Sequence, residues 1–248
     1  LGEEVLAVQP QPVHQFLLKT SILEPLCSEL CDELLNESTS QTVLEYLEQT
    51  NLFLIPLDEK RIWYRYHHLF ADLLRARLRR LLSEGEILQL YSKAAQWCEV
   101  HDHPIQAVNY ALAAHDSLSA ARIVEQNTLV LLTRGELATL LTWIKLLPES
   151  LVRERPWLCV EQGWTLAYGG QLDKAELLLC QAEQQYTHQE GVERLHGHIA
   201  AQRAYMALAT GQFAQAFDFV KQAALILPQD DYWVRTVVEW TRGYVLRI

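Results

Sequence analysis

Hydrophobic positions follow a helical period along nearly the whole chain and abandon it in one short stretch. The period starts at Leu1–Val8 and breaks at Gln9-Pro10-Gln11-Pro12, where proline removes donors and restricts the residue before it. It then predicts a short helix over Val13–Lys19 and a second over Pro25–Leu35, with Leu26, Leu30 and Leu34 on one stripe. A third helix is predicted over Gln41–Gln49, with Val43, Leu44 and Leu47 inward and Ser38-Thr39-Ser40 offering its N-cap. The exception follows: Leu52–Pro56 and Ile62–Arg65 are β-rich runs on either side of the turn Asp58-Glu59-Lys60. An amphipathic helix over His67–Leu82 comes next. A lone hairpin survives only when packed on helices, so this order predicts a winged-helix domain closing near residue 82.

From Glu84 onward no strand pattern is visible, and small residues recur at the spacing of packed helix pairs. The clearest unit is Gly211-Gln-Phe213-x-x-Ala216-x-x-x-Val220-x-x-Ala223-x-x-x-x-Pro228. An earlier copy runs Gly170-Gln-Leu172-x-x-Ala175-x-x-x-Leu179-x-x-Ala182, and weaker echoes begin at Pro104 and Leu118. Glycine at a turn, a large residue after it and alanines seven apart resemble tetratricopeptide repeats. The fold class expected is therefore mainly α: a winged-helix domain with one β-hairpin, followed by a tetratricopeptide-like α-solenoid. Its expected divisions are 1–82 (with the end of a preceding helical domain), a helical arm at 83–150, and truncated repeats at 151–248.

Composition narrows the function classes. Half of the 248 residues are hydrophobic and the net charge is −10, so the chain carries no overall pull towards nucleic acid or an anionic membrane. No apolar run of transmembrane length occurs, and the expectation is a cytoplasmic protein. Five cysteines, an odd number, predict reduced and mostly buried thiols. Cys27 and Cys31 lie four apart without a second ligand pair, and His101/His103 and His196/His198 have a spacing that does not share a helix face. No metal is expected. There is no Gly-rich phosphate loop, no His-Glu-x-x-His and no Gly-x-Ser-x-Gly, so no catalysis and no cofactor are expected of this stretch by itself. Both ends fall within helical patterns, which reads as a piece of a longer protein.

Three segments carry a family resemblance: FLLKTSIL at 16–23, YLEQTNLFLIPLD at 46–58 and WYRYHHLFADLLRARL at 63–78. In wording, order and spacing they resemble the MalT-like, ATP-dependent LuxR-type transcription regulators, members of the STAND class of signalling ATPases. The resemblance implies winged helix, arm and superhelical sensor in that order. It also implies ATP or ADP in the parent protein, an upstream nucleotide-binding domain as partner, and a downstream DNA-binding module. Such a parent self-associates when active. In this class a histidine of the winged helix touches the β-phosphate of bound ADP and holds the resting state. Tyr66-His67-His68-Leu69 falls on that motif, which gives His67 the nucleotide-sensing role; His68 replaces the usual aspartate. The residues alone also allow both histidines to cap the helix and pack on Trp63 and Tyr64. Arg75, Arg77, Arg79 and Arg80 suit the negative end of the helix dipole.

The remaining candidate is the groove of the solenoid. With Gly170 and Gly211 as turns, the first helices present Trp157, Glu161, Trp164 and Tyr168 on one side and Gln202 and Tyr205 on the other. Aromatic rings among polar groups suit a small molecule such as a sugar, or a peptide, as effector; a core role for the same rings remains open. A plain tetratricopeptide scaffold is the alternative function, and a histidine-based metal hydrolase a third reading with little support.

Overall fold

A computed structural model describes residues 6, 8–185 and 192–247, so most of the helix expected over Leu1–Val8 lies outside the described residues. The chain divides into two compact units, Leu1–Ala120 and Ala121–Ile248. This single division falls inside the segment expected to be the arm, away from the sequence-based boundaries at 82/83 and 150/151.

The first unit opens with α1 (Gln11–Thr20), α2 (Ser28–Leu35) and α3 (Ser40–Gln49). Helix α1 begins two residues earlier than the pattern predicts, because proline is tolerated in the first turn, where an N–H has no helical partner anyway. Helix α2 begins later than Pro25. Leu26 is held extended by two backbone bonds with Tyr64, at 2.9 and 2.8 Å. The hairpin pairs β1 (Leu54–Pro56) with β2 (Tyr64–Tyr66) in antiparallel register, Leu54 opposite Tyr66 and Pro56 opposite Tyr64. Its second strand starts two residues beyond the predicted Ile62. The N–H groups of Ile62 and Trp63 are taken by the Asp58 carboxylate, at 3.2 and 2.7 Å, and so belong to the turn.

Helix α4 (His68–Leu81) then packs on α1. Leu17, Leu26, Leu30, Leu34, Leu44, Leu47, Tyr64, Phe70 and Leu74 form the core, while Val43 is only half-buried. Inside that core the Thr20 hydroxyl donates to the Phe16 carbonyl at 2.7 Å, which leaves Tyr66 to donate to Thr20, also at 2.7 Å. Helix α5 (Glu84–Val100) starts with a capping box, Ser83 and Glu86 each bonding the other's backbone N–H. It packs against α2 and against α6 (Pro104–Ala113), which joins the beginning of the expected arm to the winged-helix core.

The second unit contains the rest of α7 (Ser117–Thr133), then α8 (Leu137–Leu146), the short α9 (Glu149–Arg153), α10 (Pro156–Tyr168) and α11 (Leu172–Gln185). It ends with α12 (Val192–Ala209), α13 (Phe213–Ile226) and α14 (Tyr232–Val245). Helices α10, α12 and α14 lie side by side as the first helices of successive units, with α11 and α13 as their partners. Ala175, Ala182, Ala216 and Ala223 are fully buried where the pairs cross, as the seven-residue spacing predicts. Gly170 and Gly211 both have positive φ, and the next residue donates back across the turn, Gln171 to Leu166 and Gln212 to Ala207, each at 2.8 Å. Gly135 makes the same turn, with Glu136 bonded to Leu131 at 2.8 Å. It turns the chain from α7 to α8 about 35 residues before Gly170, which is close to the standard repeat length.

Close approach also constrains Gly197. A Cβ there would meet Leu227 Cδ2 at 2.8 Å, and Leu227 is buried. Gly197→Ala is expected to cost about 1–3 kcal/mol through overpacking, read as a lower urea midpoint at unchanged m-value. An unchanged midpoint would show that Leu227 moves aside freely.

Candidate functional site

Two places collect the candidate residues. In the first unit, His67 occupies the cap position of α4 with its backbone fully engaged. Its N–H donates to the Phe53 carbonyl at 2.7 Å, and its carbonyl accepts from Phe70 and Ala71, both at 2.9 Å. Phe53 adopts φ of 54°, uncommon for a bulky residue, and its ring lies 4.9 Å from that of Phe70. The His67 side chain makes no capping hydrogen bond; its ring stacks on that of His68 at 4.4 Å and 28°. The capping alternative is therefore not what the geometry shows. Nor do the histidines rest on Trp63, which packs edge-on to Trp97 and His103. His67 is half-buried and His68 exposed. Arg75 is tied to Asp72 at 2.9 Å, whereas Arg77, Arg79 and Arg80 are exposed.

In the second unit a cavity of ≈ 440 Å³ is bounded by α7, α10 and α12. Trp157, Val160, Glu161 and Trp164 come from α10, Arg194 and His198 from α12, and Arg122, Glu125, Gln126 and Thr128 from α7. Of the six groove residues predicted, Trp157, Glu161 and Trp164 line this space. Tyr168 and Tyr205 meet at 4.9 Å with rings tilted by 58° outside it, and Trp164 meets the Trp233 ring at 5.2 Å. Gln202 is fully buried with its amide against Gly163, where an added Cβ would come within 2.6 Å, and it does not line the cavity. The facing side is α7, which sequence reasoning missed. The Gly135 turn, treated as a third copy, would have marked α7 as a first helix and placed it beside the groove.

The charges here are paired with care. Asp231, at the start of α14 with no side-chain exposure, accepts two bonds from the Arg194 guanidinium and one from His198 Nε2 at 3.1 Å. Burial alone would raise its pKa, but the bonds from His198 and Arg194 outweigh that and hold it at about 2. His198 in turn meets the Trp157 ring edge-on at 5.1 Å. Glu125 receives Arg155 Nη1 at 2.5 Å. Glu161 is different: burial pushes its carboxyl well above the usual range, the Glu125 charge adds to that, and a hydrogen bond with Thr128 opposes it. Glu161 Oε2 and Trp164 Nε1 have no hydrogen-bond partner among the described residues.

A family model for the MalT winged helix domain matches residues 2–86. The first unit carries a MalT-type winged helix. Along its length the chain is similar to the HTH-type transcriptional regulators MalT of Cronobacter sakazakii and Klebsiella pneumoniae, 30% identical to each over 246 residues. Those alignments cover 99% of this chain but 27% of each relative, so the chain spans about a quarter of the curated relatives it matches. A solved STAND protein with a tetratricopeptide repeat sensor, from Pyrococcus horikoshii, superposes with a TM-score of 0.61 at 18% identity. That match covers 98% of this chain and 36% of the solved one, and supports the fold.

Four of the five cysteines lie in the interior, and Cys180 is half-buried. Cys27, Cys31, Cys98 and Cys159 are buried, and burial pushes the Cys98 and Cys159 thiols up to about 12 and about 11. Among the described residues no three His, Cys, Asp or Glu side chains are grouped to hold a metal ion.

Asp231→Ala leaves Arg194 and His198 without their shared anion and is expected to cost about 3 kcal/mol, by analogy with breaking buried pairs. A depressed carboxyl pKa stabilises the fold above the ordinary value of 3.8, and that contribution fades as pH falls towards about 2. The stability gap between wild type and Asp231→Asn, followed by urea denaturation, should thus hold from neutrality to about pH 4 and shrink below it. A gap unchanged down to pH 2 would contradict the pairing.

Proposed function

We propose that the chain is the regulatory centre of a cytoplasmic, ATP-dependent, LuxR-type transcription activator. In this reading the winged helix stabilises an ADP-bound resting state, and the repeats sense an effector. The observation that carries it is the junction of a MalT-type winged helix with a helical unit that contains a partly apolar cavity. A plain scaffold would need the repeats and not the winged helix. The partners implied are the parent's own nucleotide-binding domain and a small-molecule or protein effector, with self-association in the active state. Membrane contact is not part of the proposal, and no described helix is long and apolar enough to cross a bilayer.

His67 suits the sensing role because its backbone is immobilised while its side chain is not used to cap α4. An imidazole at a helix start adds one hydrogen-bond donor where N–H groups already favour a phosphate. ATP and ADP would sit on the nucleotide-binding domain, with His67 contributing this single contact and the adjacent His68 stacked behind it. In the longer regulator, His67→Ala is expected to speed ADP dissociation. Loss of a hydrogen bond to a charged group, about 1.5–3 kcal/mol, corresponds to about 10–150-fold. Effector-independent transcription should rise with it. Unchanged ADP release and unchanged basal transcription would leave the histidine pair structural.

A further inference from the structure

We propose that the cavity between α7, α10 and α12 takes a compact, uncharged ligand, an apolar body bearing one hydroxyl, whose oxygen is held by Glu161 and Trp164. This deepens the effector-sensing reading and rests on it.

The charged groups around the cavity are already engaged. Arg194 is committed to Asp231, Glu125 to Arg155, and Arg122 Nη1 lies 3.3 Å from Gln126. An ionic ligand would have to break one of these pairs or be desolvated without a partner, and an uncompensated buried charge is strongly unfavourable. Two polar atoms on the lining residues are buried and unspent among the described residues: Glu161 Oε2 and Trp164 Nε1. Glu161 is 6% exposed and Trp164 1%. They sit three residues apart, neighbours on one face of α10. The indole can only donate. Burial favours the acid form of Glu161, in which one oxygen donates and the other accepts. The Thr128 hydroxyl donates to the Val124 carbonyl, so its bond with the acid is donated by Glu161 and leaves Oε2 as an acceptor. A ligand hydroxyl can accept from the indole and donate to Oε2.

The same inventory disfavours a polyhydroxylated sugar in the buried part of the cavity. Two free polar atoms cannot satisfy many hydroxyls, and each buried group left unpaired costs about 1–3 kcal/mol. Val160 and the Trp157 and Trp164 rings supply the apolar contact, in a volume within the range of small-molecule sites.

The experiment uses four probes on the 248-residue chain at pH 7: 2-phenylethanol, phenylacetate, phenethylammonium and maltose. Binding is followed by tryptophan fluorescence and by calorimetry in two buffers of different ionisation enthalpy. The neutral alcohol is expected to saturate one site without proton release, and the two ions of the same shape to bind at least about tenfold more weakly. Glu161→Gln, which keeps a neutral donor, should stay within about threefold of wild type, while Glu161→Leu should weaken the alcohol by about tenfold. Circular dichroism and the thermal midpoint establish that each variant is folded, and Glu161→Gln keeps the test decisive if the leucine variant is not. Tightest binding of phenethylammonium with release of a proton would make the site a cation site formed by ionised Glu161. Tightest binding of phenylacetate would make it an anion site on Arg122 and Arg194. Saturation by maltose would make it a sugar site. Any of these overturns the ligand class and leaves effector sensing standing. If no probe saturates at tens of millimolar, the ligand class fails here too, and sensing is then judged separately by the response of the longer regulator to its effector.

Discussion

The repeat unit depends on how closely its first helices can approach. Gly163 admits the Gln202 amide, Gly197 admits Leu227, and buried alanines let α11 and α13 lie tightly on their partners. Side chains of α10 and α12 consequently share one face instead of standing apart in solvent. The same approach brings Trp164, Tyr168, Tyr205 and Trp233 into a continuous set of ring contacts, which supplies apolar area without long flexible side chains. Where α7 borders this face, the space left over is the cavity.

Electrostatics then fix the edges of that space. Asp231 anchors the start of α14 to Arg194 and His198 of α12, and Arg155 at the start of α10 holds Glu125 of α7. Each ion pair crosses from one first helix to another. A ligand that shifts Arg194 or His198 therefore acts on the placement of α14 as well as on its own binding, which is a physical route from occupancy to the next repeat. The pairs are weak evidence for stability by themselves, since desolvation offsets much of their attraction, but breaking one leaves a buried charge alone.

Much of this organisation could be read from the chain. The hairpin, the order of helices and the leucine stripes of α2 and α3 follow from periodicity, because burial on one face imposes it. The alanine spacing gave the crossings of α11 and α13. What could not be read was set by contacts between distant residues. Leu26 leaves a helical pattern because Tyr64 offers it a strand partner, and the hairpin shifts because Asp58 claims two N–H groups. Helix α5 joins the first unit through its packing on α2, which no local pattern records. In the groove, Trp157, Glu161 and Trp164 were placed by helical spacing, but Gln202 was not: a glutamine on the right face turned inward against the gap at Gly163. The facing residues of α7 escaped notice because the Gly135 turn lacks the alanines that made the later copies visible.

Coupling between the cavity and the winged helix is tested most directly by ADP release from the longer regulator, measured with and without its effector, in wild type and in Val160→Trp. The larger side chain fills the cavity from a buried position of α10. The effector should accelerate ADP release in wild type, and that acceleration should vanish in a folded Val160→Trp variant, because two coupled sites exchange the same free energy. An equal acceleration in both proteins would place the effector elsewhere and contradict the role assigned to this cavity.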